Sequence, residues 1–139
     1  MSGNSVLREK ITRFLTAKYS RSGSTFDSEN TWLVANGRVL APIEVATSRS
    51  ARRLGLRGRP SITRPLLLDP CRQVHTMGMK CEIDVVWCKS DGRVLRIAQL
   101  TSRRVSRVVL RSAFVVEAAS GSCQQWSLKV GDQIEVTNG

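Results

Sequence analysis

Short runs of aliphatic and β-branched residues, separated by tight-turn signals, constrain the fold of this chain more than any other feature. Asn36-Gly37 lies between two such runs and predicts a two-residue hairpin, because both central positions of that turn need positive φ. Asp91-Gly92 lies between the runs at 83–88 and 94–100 and predicts a second hairpin. Short strands joined by such turns are typical of antiparallel sheets.

Three further apolar runs complete a strand-rich pattern. They lie at residues 66–68, 114–118 and 134–136. Pro42 directs the chain to a sheet edge or a bend, since proline has no N–H to donate to a ladder. The pattern predicts an α+β fold that is mostly β, with a small barrel-like sheet and one or two short helices.

The two short helices are predicted between the strands. Thr47 or Ser48 is suited to cap a helix over residues 49–56. Three apolar side chains are expected to face inward from it: Ala51, Leu54 and Leu56. A second short helix is predicted near residues 121–128.

The amino-terminal part of the chain differs from the rest. We predict a basic extension and linker over residues 1–30, with a flexible or helical character, and a single domain over residues 31–137. Residues 5–19 carry an apolar helical face among basic residues, and residues 20–30 are rich in Ser, Gly and Asn, as linkers are. The chain has no apolar run near the roughly 18 residues of a membrane span and no continuous apolar region of a secretory signal. We therefore expect a soluble, cytoplasmic monomer.

The net charge of +11 comes from 22 basic and 11 acidic residues. Two acid-free stretches, residues 49–64 and 93–111, are rich in arginine. They are either solvated faces or a surface for polyanions. Aromatic residues are scarce at 5%, which argues against specific reading of nucleic acid. Weak, salt-labile contact with nucleic acid or an anionic membrane is the expectation.

The segment from Cys71 to Asp84 is the richest in chemistry and holds the only histidine of the chain. Cys71, His75, Met77 and Met79 are ligand types that suit Cu(I), although the same residues fit a structural stripe. The four cysteines of the chain follow no zinc-finger or thioredoxin spacing. We predict buried free thiols and no metal or other cofactor.

Asp84 lies inside an apolar strand, where an ionised carboxylate is costly unless donors or a counter-charge compensate it. Either backbone N–H groups of the preceding loop supply the donors, or Arg57 or Arg59 pairs with Asp84 at the rim of a pocket. A third interpretation makes Asp84 the orienting group for a Cys71/His75 nucleophile pair.

Four motifs follow one another along the chain: VATSRSARRLGLRGR at 45–59, VHTMGMKCEIDVVWCKSDGRVLRI at 74–97, and then FVVEAASG and LKVGDQIEV. In order and spacing, over residues 31 to 137, they resemble the bacterial and archaeal family called domain of unknown function 192. Family members show an Arg and a Gly-Leu-Met-Gly-Arg-like segment, matched by Arg52 or Arg53 and by residues 55–59, with Arg57 in place of Met.

Two further parts of the chain fit this resemblance. Met79, Lys80 and Asp84 match a Met, a basic residue and a strand Asp, while Met77 and Gly78 stand where many members have an aromatic pair. A subgroup pattern is also reproduced, at Cys71, Val74, His75, Thr76 and Met79.

The resemblance implies a compact, mostly β, barrel-like domain of uncharacterised function. Many relatives look exported or membrane-anchored, and some are encoded beside secretion or pilus-assembly components, which suits an accessory role.

The preferred hypothesis is a binding or accessory domain rather than an enzyme, linked to secretion or envelope assembly. Its cleft would receive a small anionic ligand or a peptide segment. The expected lining residues are Arg53, Arg59, His75, Met79, Lys80 and Asp84. Two alternatives stay open: a hydrolase or transferase using Cys71, His75 and Asp84, and a non-specific binder of polyanions.

Overall fold

The computed structural model describes residues 26–27, 30–46 and 48–138. The amphipathic helix predicted over residues 5–19 lies outside these residues. Within them the chain forms nine strands and two short helices. In chain order these are β1 Phe26–Asp27, β2 Thr31–Ala35, β3 Arg38–Pro42, β4 Glu44–Ala46, α1 Arg49–Leu54, β5 Leu66–Leu68, β6 Ile83–Cys88, β7 Val94–Leu100, β8 Phe114–Ala119, α2 Ser122–Gln125 and β9 Ile134–Asn138.

The strands form two open sheets, one of six strands in the order β1-β4-β5-β8-β6-β7 and one of three in the order β3-β2-β9. The α+β, mostly β prediction is confirmed, but the barrel-like closure is wrong. The chain leaves the smaller sheet at Pro42, and β4 then pairs in parallel with β5 of the larger one. Because the hairpin of β2 and β3 forms its own sheet with β9, it does not close the larger sheet on itself. The other strand pairs are antiparallel.

Both predicted hairpins are present among the described residues. Asn36 and Gly37 have φ of 50° and 78°, which is the positive-φ pair that the turn between β2 and β3 requires. The turn between β6 and β7 contains Asp91, whose Oδ1 accepts a hydrogen bond of 3.0 Å from the Arg93 N–H.

The two faces of β6 bury different apolar clusters, and this division organises the molecule. Val86 and Cys88 point to a core between the two sheets, whereas Val85 and Trp87 point to a second core under α1. Side chains alternate along a strand, so each face of the larger sheet is covered by its own layer. The layers are therefore the small sheet, the large sheet, and α1 with the irregular segments around it.

The α1 helix is shorter than the predicted range of 49–56. Ser48 caps it, since its Oγ accepts a hydrogen bond of 3.0 Å from the Ala51 N–H. Ala51 and Leu56 are buried as expected, but the inward orientation of Leu54 is wrong because this side chain is 48% exposed. Leu54 is the last helical residue, and Gly55 and Leu56, which follow it, are buried in its place.

The sheet begins before the predicted boundary at residue 31, because Phe26 and Asp27 pair with Ala46 and Val45. The prediction of buried free thiols holds for Cys88 and Cys123. It is wrong for Cys71 and Cys81, which are free but only half-buried in the irregular segment before β6.

A second irregular segment, residues 101–113, joins β7 to β8 and lies along residues 71–76. The backbone hydrogen bonds that connect the two segments include those from Thr76 N–H to Arg104, from Ser106 N–H to Val74 and from Val109 N–H to Arg72. No helix in the described ranges is long and apolar enough to cross a membrane.

Candidate functional site

A pocket of about 280 Å³ opens between α1 and the segment Cys71–Met79 on the second-core side of the large sheet. One wall consists of α1 and the turn after it: Arg49, Arg52, Arg53, Leu54, Gly55, Leu56 and Arg57. The other wall consists of Cys71, Gln73, Val74, His75 and Met79, and the buried residues Leu68 and Glu117 complete the lining. Four of these side chains are arginines, so the mouth is strongly basic.

The sharp end of α1 brings backbone onto Glu117. Gly55 has φ of 54°, a left-handed value that glycine adopts without steric cost, and its N–H bonds to the Ala51 carbonyl at 2.9 Å. A Cβ at Gly55 would lie 3.2 Å from Glu117 Oε2. The absence of a side chain therefore lets the turn close directly over the carboxylate.

Arg57 connects the two walls of the pocket. Its aliphatic stem lies across Gly78, where a Cβ would come within 2.8 Å of Arg57 Cδ. The Arg57 guanidinium donates a hydrogen bond of 3.1 Å to the Arg53 carbonyl. The glycine-rich turn after α1 and the segment that contains His75 thus meet through an arginine stem packed on a glycine.

Glu117 is 5% exposed and is the acidic residue of the pocket lining. It lies on β8 beside Val85 of β6, on the second-core face of the sheet. Burial raises the pKa of its carboxyl to about 7, and the Leu56 backbone N–H and the charge of Arg59 oppose that rise. A carboxyl with such a pKa exchanges its proton near neutral pH, and it does so facing a cavity.

Arg59 acts on Glu117 from outside the pocket lining. Its guanidinium forms an ion pair of 2.8 Å with Glu44 of β4, and both side chains are partly buried. Because Arg59 already has this carboxylate partner, it only partly offsets the cost of burying Glu117.

Cys71 has the properties of a protonated thiol. Burial raises the pKa of its thiol to about 11, with the charge of Glu117 adding to that effect. The Cys71 Sγ donates a hydrogen bond of 3.3 Å to the Gln73 carbonyl. A nucleophilic cysteine needs the opposite environment, one that favours the thiolate.

Asp84 lies on the other face of the sheet. It alternates with Val85 and therefore points to the core between the sheets, where it is 6% exposed. Its Oδ2 accepts a hydrogen bond of 3.0 Å from the backbone N–H of Cys123 in α2. The predicted pairing with Arg57 or Arg59 is wrong, and the backbone donor comes from α2 rather than from the loop before β6.

The predicted cleft is assembled only in part. Arg53, His75 and Met79 line the pocket, whereas Arg59, Lys80 and Asp84 are not among its lining residues. The Cys71/His75/Asp84 triad is not brought together, because the sheet separates Asp84 from the pocket. Among the described residues, no three His, Cys, Asp or Glu side chains are arranged as ligands of one metal ion.

Sequence reasoning missed Glu117, Arg49 and Arg52 as members of the site, and it considered Arg57 only as a partner of Asp84. The signal for Glu117 was present, since FVVEA places an acid inside an apolar strand in the same way that IDVVWC places Asp84. The arginines were visible as a charged stretch, but only the folded chain shows that several of them surround a cavity.

Comparisons with known proteins match the sequence to a family and the structure to two crystal structures. The family model for domain of unknown function 192, described as "Uncharacterized ACR", matches residues 32–136. No curated protein matches the sequence. A protein of unknown function from Novosphingobium aromaticivorans DSM 12444 superposes with a TM-score of 0.65 at 16% identity, over 76% of this chain and 82% of that one. A putative transcription regulator from Sinorhizobium meliloti 1021 superposes with a TM-score of 0.66 at 22% identity, over 81% and 96%. At these identities the two structures establish the fold alone.

Proposed function

The chain belongs to the domain of unknown function 192 family, and we propose that it is a binding domain whose pocket takes a small anionic ligand, free or as part of a peptide. The observation that carries this proposal is a buried glutamate facing a cavity whose mouth is lined by arginines. The pocket is large enough for a small metabolite or the end of a chain.

The arginine wall supports an anionic ligand. Arg49, Arg53 and Arg57 are exposed at the pocket, and Arg52 is partly buried there. Guanidinium groups bind carboxylate or phosphate through paired hydrogen bonds, which are stronger than those between neutral groups. A wall with several of them also raises the local concentration of anions before contact.

Glu117 adds a second requirement, that the ligand also carry a hydrogen-bond donor or a cationic group. Its burial is costly, and a hydrogen-bond donor or a cationic group that entered the pocket would relieve that cost. A ligand that carries an anionic group for the arginines and an ammonium, amide or hydroxyl donor for Glu117 satisfies both parts of the site. A zwitterion of a few atoms is the simplest compound of this kind.

Binding agrees better with the lining than catalysis does. The Cys71 thiol is held in its protonated form, and the carboxylate expected to orient His75 lies across the sheet. The hydrolase or transferase alternative is therefore less well supported, because it needs Cys71 as a thiolate and Asp84 beside His75.

Two matched compounds test the proposal: O-phosphoethanolamine, which carries a phosphate and an ammonium, and ethyl phosphate, which lacks the ammonium. We expect both to shift amide resonances of α1 and residues 55–57 in NMR titrations. O-Phosphoethanolamine should bind about tenfold more tightly, the factor expected for a hydrogen bond to a charged partner. In Glu117→Gln this difference should disappear.

The control compares two double variants that remove the same charge. Arg49→Gln/Arg53→Gln should abolish the phosphate-dependent shifts, whereas Arg103→Gln/Arg107→Gln, which alters residues outside the pocket lining, should leave them in place. Equal weakening in both variants would show that net charge alone attracts the phosphate, and the pocket proposal would then be rejected.

A further inference from the structure

Residues 101–113, called the arginine–valine loop below, present apolar side chains to solvent on a fixed backbone. The backbone is held by the hydrogen bonds to residues 71–76 and by a bond of 2.8 Å from the Arg104 N–H to Thr76 Oγ1. Ser106 Oγ also accepts a hydrogen bond of 2.9 Å from the Val74 N–H. The side chains that leave this loop outward are therefore oriented by the fold.

Three of these outward side chains are aliphatic. Val105 is 63% exposed, Val108 is 50% exposed and Leu110 is 77% exposed. Met77, on the segment against which the loop is hydrogen-bonded, is 49% exposed and lines a shallow depression together with Val105. Exposed aliphatic groups concentrated on one loop are unfavourable in water and indicate a partner surface.

The same loop is strongly basic. Four exposed arginines alternate with the aliphatic residues, at positions 103, 104, 107 and 111, and residues 101–113 contain no acid. A partner must therefore accept apolar groups and supply negative charge within the same few ångströms. The interface of a bilayer that contains anionic lipids combines these two properties.

We propose that the arginine–valine loop docks the domain on a bilayer surface with anionic head groups. Val105, Val108 and Leu110 enter the head-group region, and the arginines contact lipid phosphates. Nucleic acid fits less well, because the exposed apolar side chains of the loop are aliphatic and offer no aromatic ring on which a base could stack. This inference does not depend on the ligand pocket, although Gln73, Val74 and His75 lie between the pocket and the depression at Val105.

Vesicle flotation at 150 mM salt tests the proposal, with phosphatidylcholine vesicles that contain roughly one third phosphatidylglycerol and with pure phosphatidylcholine vesicles. The full chain should float with the anionic vesicles and stay in solution with the neutral ones. Each arginine at an anionic surface contributes about fivefold in affinity, so Arg103→Gln/Arg107→Gln should weaken partitioning by about 25-fold. Arg49→Gln/Arg53→Gln, which removes equal charge at the pocket, should change it far less.

Substitution of the aliphatic residues is the decisive part of the flotation test. Val105→Ser/Val108→Ser/Leu110→Ser should reduce partitioning by at least about tenfold, because burial of each exposed side chain in the interface is lost. Val105→Ser/Val108→Ser/Leu110→Trp should regain part of it, since tryptophan favours the membrane interface. All three positions are exposed, so the thermal unfolding midpoint should change little in either variant.

Three results would overturn the proposal. Unchanged flotation of the triple serine variant, or equal loss of flotation in the pocket and loop arginine variants, would mean that charge alone attracts the protein. Retention of the protein by duplex DNA in the absence of any vesicle binding would assign the loop to nucleic acid instead.

Discussion

Two buried carboxylates on neighbouring strands have opposite surroundings in this molecule. Asp84 of β6 and Glu117 of β8 are 6% and 5% exposed, and each interrupts an otherwise apolar strand. They occupy adjacent rows of the same sheet, since Asp84 pairs with Ala118 and Val85 pairs with Glu117. Because they point to opposite faces, one meets a packed core and the other meets a cavity.

The difference shows how burial alone fails to identify a functional acid. Asp84 receives the Cys123 backbone N–H and so fixes the start of α2, whose N-cap residue, Gly121, has no side chain to do so. Glu117 receives the Leu56 N–H and the distant charge of Arg59, and its pKa is still raised to about 7. A buried carboxylate whose charge is only partly compensated, and which lines a cavity, is available to bind a ligand.

The largest expected effect is the pH dependence of stability that Glu117 causes. Its folded-state pKa of about 7 exceeds the ordinary value of 4.5, so the folded state binds more protons between those values. The free energy of unfolding should therefore fall by about 3 kcal/mol in total as pH rises from about 4.5 to 7. Above pH 7 it should stay at this lower value. Glu117→Gln should be more stable than the wild type by up to that amount at pH 8, and the two should converge near pH 4.5. Urea denaturation at both pH values measures this.

An exposed carboxylate supplies the control for that measurement. Glu135→Gln on β9 removes the same charge at an exposed position and should give the wild-type pH profile. If Glu117→Gln and Glu135→Gln behaved alike at pH 8, the burial cost assigned to Glu117 would be absent and the contrast between the two acids would fail.

The second effect concerns Asp84 and has the opposite sign. Asp84→Ala leaves the Cys123 N–H without its acceptor in a buried site, and we expect a loss of about 2 kcal/mol in the free energy of unfolding. Asp84→Asn keeps an acceptor oxygen and should lose less. Binding of O-phosphoethanolamine at the pocket should be unchanged in both variants, in contrast to Glu117→Gln. Reduced binding by a folded Asp84 variant would place this residue in the site after all.

Local sequence signals account for most of the elements but not for the site. The alternation in IDVVWC and the Asn36-Gly37 turn depend on neighbours in the chain, so the strand and the hairpin could be predicted. The same alternation predicted that Asp84 points to one face of the strand and that Val85 and Trp87 point to the other. Which face of the sheet meets the pocket depends on the order of the strands, and that order is set by contacts between distant residues.

The pairing of residues 71–76 with residues 104–109 is the clearest case of such a long-range contact. Neither segment has a strand pattern, because polar residues interrupt the apolar ones: Arg72, Gln73 and Thr76 in the first, and Arg104, Ser106 and Arg107 in the second. Their hydrogen bonds use backbone groups and the hydroxyls of Thr76 and Ser106, which a hydrophobic pattern does not reveal. This pairing positions His75 on the pocket wall and leaves the aliphatic residues of the arginine–valine loop exposed.

The smallest predicted effect compares the capping of the two helices. Ser48, the residue directly before α1, caps that helix, whereas the first turn of α2 is capped by Asp84, which lies on strand β6. Ser48→Ala should cost about 1 kcal/mol, roughly half the effect of Asp84→Ala, because a neutral hydroxyl acceptor next to solvent is replaced more easily than a buried carboxylate. Ser61→Ala removes an exposed hydroxyl between α1 and β5 and serves as the control. Since α1 carries Arg49 and Arg53, Ser48→Ala should also weaken O-phosphoethanolamine binding slightly by fraying the first turn. If Ser48→Ala and Ser61→Ala unfolded at the same urea concentration, the local cap would contribute nothing, and the position of the arginine wall would depend on tertiary contacts alone.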